Sequence, residues 1–230
     1  MRPTKALELY GPAEIAHGPL FIGFFFNVLL CGIMVIQTYS YFKTFRSDKD
    51  WTKAFVACIF LLDALNTLFD FAYLYDCLIV HFDDVPYLAR ATWLFATDPA
   101  TTAIIAFLVQ LFYIRRVKLL TGSVWLVLLV GACALTGLAG GIVTSVEVLL
   151  EPHFRDFIHF KSVVIVWLAG ECVCDIMITT ILVVHLRFHC KSGIASTDIL
   201  VDRIIRLTVQ TGLATALCAT IESRPNFVPQ

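Results

Sequence analysis

Long apolar runs alternate with short polar, charged stretches from residue 18 almost to the end of the chain. The runs fall at about 18–42, 54–80, 91–114, 124–146, 162–186 and 204–221. A helix rises ~1.5 Å per residue, so runs of roughly 20 residues can cross a hydrocarbon core ~30 Å thick. In lipid the backbone must satisfy its own hydrogen bonds, which leaves helices or closed barrels. A barrel would need short alternating segments, and the runs here are long and continuous. The pattern predicts an all-α fold, a polytopic transmembrane helical bundle of six spans seated in the lipid bilayer. Residues 1–17 form a short polar leader and 222–230 a polar tail.

Composition strengthens this reading. The chain of 230 residues is 59% hydrophobic and 15% charged, with a mean hydropathy of +0.82. Soluble domains carry about 25% charged residues. Orientation follows from where Lys and Arg collect. Eleven of the 17 lie in the loops after spans one, three and five, including Lys43, Arg46, Lys49, Lys53, Arg115, Arg116, Lys118 and Arg203. That bias puts those loops in the cytoplasm and the N-terminus outside. The same basic residues, Arg115, Arg116, Lys118 and Arg203, are candidate contacts for a cytoplasmic partner. Nucleic acid is not an expected partner, because the positive charge is scattered in short clusters and the net charge is −1. Cys31, Cys58, Cys133, Cys172, Cys174 and Cys218 fall inside apolar runs, where Cys behaves as a small hydrophobe. No removable signal peptide is recognisable, so the first span is expected to be retained.

Candidate chemistry sits inside the spans, where acids are costly and face a bundle interior or a water-filled cavity. Span two carries Asp63, Asn66 and Asp70 on one helical face. Span three carries Asp98 with Thr101 and Thr102, and Pro99 marks a kink. Span five carries Glu171 and Asp175 at i,i+4, and span six shows Thr208, Thr211 and Thr215. Asp63, Asp98, Glu171 and Asp175 fall roughly 10–20 Å below the outer surface, at a depth without Lys or Arg. They are expected to line a site for a proton, a cation or a ligand, or to hold helices together through hydrogen bonds. Gly137 and Gly141 form a GxxxG face, suited to packing inside the bundle or to a homodimer. His185 and His189 at the inner interface read as interfacial side chains. Neither a metal site nor a cofactor is expected, and an enzyme is not indicated, since no phosphate loop, nucleophile elbow or H-E-x-x-H is present.

Several positions taken together resemble a known family. They are Gly18, Gly23, Gln37, Tyr41 and Phe42, then Leu62-Asp63, then FLVQLFYIRRVKLLTG with Gln110, Phe112, Arg116 and Val117. The densest are Asp175 and TDILVDRIIRLTVQTGLATALCA. The family is that of the multi-pass, normally seven-helix membrane proteins of mushroom-forming fungi, catalogued as a domain of unknown function. The resemblance implies a membrane location and a seven-helix topology, with no activity attached. Two departures stand out. Asn66 occupies a position where the family usually has His. The chain ends in ESRPNFVPQ where the family continues into a seventh helix, so a truncated coding sequence is expected. The lead reading is a receptor-like or sensor protein of the plasma membrane or an internal membrane. A proton- or cation-coupled transporter or channel is the alternative, and a structural or truncated, non-functional membrane protein is the third.

Overall fold

The computed structural model describes residues 12–82, 84–151 and 157–189. The regular elements in this part are all helical: α1 (Pro12–Thr44), α2 (Asp50–Tyr75) with a π-helical turn at Asp76–Val80, the short α3 (Val85–Leu88), α4 (Trp93–Thr121), α5 (Val124–Leu150) and α6 (Phe157–His189). Among the described residues, four segments are long and apolar enough to cross a membrane: Leu20–Thr44, Asp50–Val80, Val124–Leu150 and Lys161–His185. They match predicted spans one, two, four and five. The chain is an all-α integral membrane protein.

Predicted span three is also a helix, α4, of 29 residues. It stands outside the four most apolar segments. Thr97, Asp98, Thr101, Thr102 and Gln110 dilute its apolar character, and Arg115, Arg116 and Lys118 close it. Helix α1 begins at Pro12, inside the stretch expected to be a leader. Proline suits a first helical turn, where its missing N–H has no partner to lose. Residues 1–11, Arg203, the predicted sixth span 204–221 with its threonines and the tail 222–230 lie outside the described residues.

Large apolar side chains stay exposed along the outer faces of these helices, among them Phe21, Phe25, Leu30 and Ile36 on α1 and Leu128 and Leu149 on α5. In water such helices would bury these faces; with lipid as solvent they need not.

The chain divides into two compact units, one holding residues 1–105 and 142–160, the other 106–141 and 161–229. In the first, α1 packs on α2 and α3. Tyr73, Leu74, Cys77 and Leu88 form its buried core, with Leu20, Phe24, Leu94 and Phe95 packed against them. The connection after α2 is tied down by Tyr87, whose ring stacks on His81 at 3.7 Å and whose hydroxyl donates to Asp76. That hydrogen bond to a carboxylate, followed by partial burial, pushes the Tyr87 phenol up to about 12. Inside α4, Pro99 lacks the N–H that would reach back to the carbonyl four residues earlier. At this point the Ser145 hydroxyl of α5 donates to the neighbouring Ala96 carbonyl.

In the second unit Ile114, Val117, Val130, Ala134, Cys174, Ile178 and Leu182 form the core. Helix α4 ends at Gly122, whose φ of 65° terminates the helix, while its N–H bonds the Lys118 carbonyl at 3.0 Å. Small residues set the approach of α5 to α6. A Cβ on Gly140 would lie 2.8 Å from Trp167 Cβ, and a Cβ on Gly170 would lie 3.3 Å from Thr136 Oγ1. One on Gly137 would overlap Glu171 Oε1. Gly137 and Gly141 are both buried, and Gly137 is used for packing within the chain.

Candidate functional site

In the first unit, α1, α2 and α4 enclose a cleft of about 270 Å³. Its apolar wall comes from Leu20, Gly23, Phe24, Tyr73, Leu74 and Phe95, and its polar groups are Asn27, Asp70 and Asp98. Helical periodicity explains the α2 contribution, because Asn66, Asp70, Tyr73 and Leu74 lie on one face at i,i+4 and i,i+3 steps. Each carboxylate is held by a side-chain amide. Asn27 Nδ2 donates to Asp70 Oδ2 at 2.7 Å, and Asn66 Nδ2 donates to Asp98 Oδ1 at 2.9 Å. Thr101 donates to the Asn66 carbonyl oxygen, which fixes the amide's orientation. Thr102 adds a long contact to Asp98 Oδ1 at 3.4 Å. These bonds leave Asp70 Oδ1 and Asp98 Oδ2 without a hydrogen bond from any described residue. The described ion pairs are Lys53 with Asp50 and His81 with Asp76, so neither cleft acid has a basic partner among the described residues.

A second polar centre lies in the second unit. Gln110 Nε2 on α4 donates to Glu171 Oε2 on α6. Gln110 is only 2% exposed and Trp167 8%. Gln110 Oε1, Trp167 Nε1 and Glu171 Oε1 are buried and accept or donate no hydrogen bond of full geometry among the described residues, although the Trp167 indole lies near enough to act on the Glu171 carboxyl. Asp175 follows Glu171 by one turn on α6 and is half-buried. The absence of a side chain at Gly137 makes room for the Glu171 carboxyl against α5.

The acids singled out from sequence are thus distributed by element. Asn66, Asp70 and Asp98 come together in the first unit, two of them lining the cleft. Glu171 and Asp175 belong to the second unit with Gln110. Asp63 is half-buried on α2, and its backbone carbonyl accepts from Thr67 at 3.0 Å; it is not part of the cleft lining. Arg115, Arg116 and Lys118 are exposed in the last turns of α4. Sequence reading passed over Asn27, although a lone amide in an otherwise apolar run was a legible signal. It also passed over Gln110 as a site residue, placing it only in the family resemblance.

A family model described as "Family of unknown function (DUF6534)" matches residues 171–229. The carboxyl-terminal part of the chain is therefore similar to that family. The match begins at Glu171, on α6, and covers the region in which the resemblance was densest. No curated protein and no solved structure matches the chain.

Proposed function

We propose that the protein is a receptor-like or sensor protein of a fungal membrane, with the cleft of the first unit as its ligand pocket. The observation that carries this reading is the cleft itself, a concave and mostly apolar space into which two carboxylates are presented by fixed amides. Binding sites for small molecules have this make-up, an apolar wall with a few placed polar groups. The spread of family-like positions along the chain implies a seven-helix parent architecture, and the similarity over residues 171–229 ties the carboxyl-terminal part to a family of unknown function. Arg115, Arg116 and Lys118 are exposed basic residues suited to a cytoplasmic partner, a role that the distribution of Lys and Arg along the sequence suggests for Arg203 as well.

A proton- or cation-coupled transporter or channel is the second reading, favoured by the Gln110–Glu171 centre. Gln110, Trp167 and Glu171 bring buried polar atoms together there without a full set of hydrogen bonds among the described residues, and buried polar groups in lipid usually mark a pathway or a bound species. Reconstitution separates the two readings. Proteoliposomes carrying the chain should pass protons and sodium no faster than empty liposomes. A flux that disappears in Glu171→Gln while the variant still reconstitutes would overturn the sensor reading in favour of transport.

A further inference from the structure

We propose that the cleft binds a small organic ammonium ion, with its charge held by Asp70 and Asp98 and its carbon body against Phe24, Tyr73 and Phe95. The inference rests on the reading of the cleft as a ligand pocket and adds the chemical class of the ligand.

Charge comes first. Asp70 and Asp98 line the same small cleft, and no described basic side chain pairs with either. Two like charges in a low-dielectric setting repel, and a cation between them relieves that repulsion. Anions are excluded on the same ground. Each carboxylate has one oxygen engaged by an asparagine and one left over, so the cleft offers two acceptors already oriented by Asn27 and Asn66. Those amides can only donate through their nitrogens, which locks the carboxylates without neutralising them.

The coordination number then separates an organic from an inorganic cation. Calcium takes six to eight oxygen ligands at close range, and magnesium a near-octahedral set. The described residues contain no group of three or more His, Cys, Asp or Glu able to hold a metal ion. An ammonium needs far less: one or two acceptors for its N–H groups, or none for a quaternary nitrogen, and an aromatic face within ~6 Å. Phe24, Tyr73 and Phe95 all line the cleft, and the Tyr73 and Phe95 rings lie 5.4 Å apart at 48°. Both rings contribute wall to the same small space. The volume of about 270 Å³ sits just below the ~300–1,000 Å³ of pockets that bury drug-sized ligands, so the ligand is small.

Phenethylammonium is a suitable probe, with 2-phenylethanol as its uncharged counterpart and sodium and calcium chlorides as inorganic controls. Binding is measured by calorimetry on the full chain in lipid nanodiscs. Three variants divide the outcomes: Asp70→Asn, Phe95→Leu and Gly23→Trp. Gly23 lines the cleft and a Cβ there meets nothing within 4 Å, so Gly23→Trp starts a large side chain from open space at the cleft wall. Circular dichroism and elution as a single species establish that each variant is folded. The proposal expects phenethylammonium to bind, 2-phenylethanol to bind at least tenfold more weakly, and the inorganic salts not to compete. Asp70→Asn should weaken the ammonium at least tenfold, Phe95→Leu a few-fold, and Gly23→Trp should abolish binding. If the alcohol binds as well as the ammonium and both are lost in Gly23→Trp, the ammonium assignment is wrong while the pocket stands. If Gly23→Trp changes nothing, or no probe binds, the proposal and the pocket reading both fall.

Discussion

Replacing Gly140 by alanine tests whether α5 and α6 of the second unit pack as closely as described. The new Cβ would stand 2.8 Å from Trp167 Cβ and 3.1 Å from Trp167 Cα. Carbon atoms in favourable contact lie about 3.5–4.0 Å apart, so the helices must part by roughly 0.5–1 Å at this point. The obstructing atoms are backbone and the root of a side chain, which no change of rotamer moves aside. Overpacking of this kind costs about 1–3 kcal/mol. Alanine is also a better helix former than glycine by ~1 kcal/mol, which partly masks the loss. Gly131 provides the correction. It lies on the same helix, and a Cβ there meets nothing within 4 Å, so Gly131→Ala registers the helix term alone. Gly140→Ala should therefore be less stable than Gly131→Ala by about 1–3 kcal/mol. The assay is unfolding in mixed micelles by increasing SDS, followed by circular dichroism and by tryptophan fluorescence, to which Trp167 contributes. Equal stability of the two variants, within about 0.5 kcal/mol, would refute the close approach.

Other expectations follow from single contacts. A double-mutant cycle on Gln110→Leu and Glu171→Leu should give a coupling of about 0.6 kcal/mol and no more than about 1.7, the range for hydrogen bonds between membrane helices; zero coupling would mean the bond is not formed in the membrane. Asn66→Ala removes the donor to Asp98 and the acceptor for Thr101 at a buried position, and should lower stability by about 1–3 kcal/mol, whereas Asn66→Gln should recover part of it; SDS unfolding compares them. Tyr87 should ionise late. Its phenol is raised, so the neutral form is favoured in the folded protein. The stabilisation from its bond to Asp76 is complete below the ordinary tyrosine value near 10 and lost as pH rises through about 12. Ultraviolet titration should therefore show a step near 12 that is missing in Tyr87→Phe, and a step near 10 would contradict the contact.

Much of the fold was legible because lipid makes a strong demand on sequence. Runs of apolar residues with charges only between them leave little but helices, and α1, α2, α5 and α6 follow those runs closely. Helix α4 shows the limit of that signal. Its length is clear, but Asp98, Thr101 and Gln110 lower its hydropathy, and these same residues make its contacts with neighbouring helices. The acids were legible as a list and as faces, since spacing along one helix reveals which side chains point the same way. Spacing cannot reveal partners across helices. Asn66 was placed beside Asp70 by periodicity, yet its hydrogen bond goes to Asp98 on α4. Asn27 was overlooked because a single amide in a run of Phe and Leu makes no periodic pattern. Gly137 shows the same ambiguity from the other side. A small residue announces close contact without naming the neighbour, which here is the Glu171 side chain.

Thiol labelling in sealed proteoliposomes tests the central claim, a helical protein embedded in lipid with a water-reachable acidic cleft, most directly. Three single cysteines are introduced one at a time into a cysteine-free chain: Lys49→Cys between α1 and α2, Leu30→Cys on the outer face of α1, and Gly23→Cys in the cleft. Leu30 is 64% exposed in the protein alone, so lipid is what would shield it. With a charged, water-soluble thiol reagent present on both sides of the membrane, Lys49→Cys and Gly23→Cys should label readily. Leu30→Cys should stay unlabelled until the bilayer is dissolved and the chain unfolded. Rapid labelling of Leu30→Cys in intact liposomes would contradict the membrane placement, and an inert Gly23→Cys would contradict the cleft.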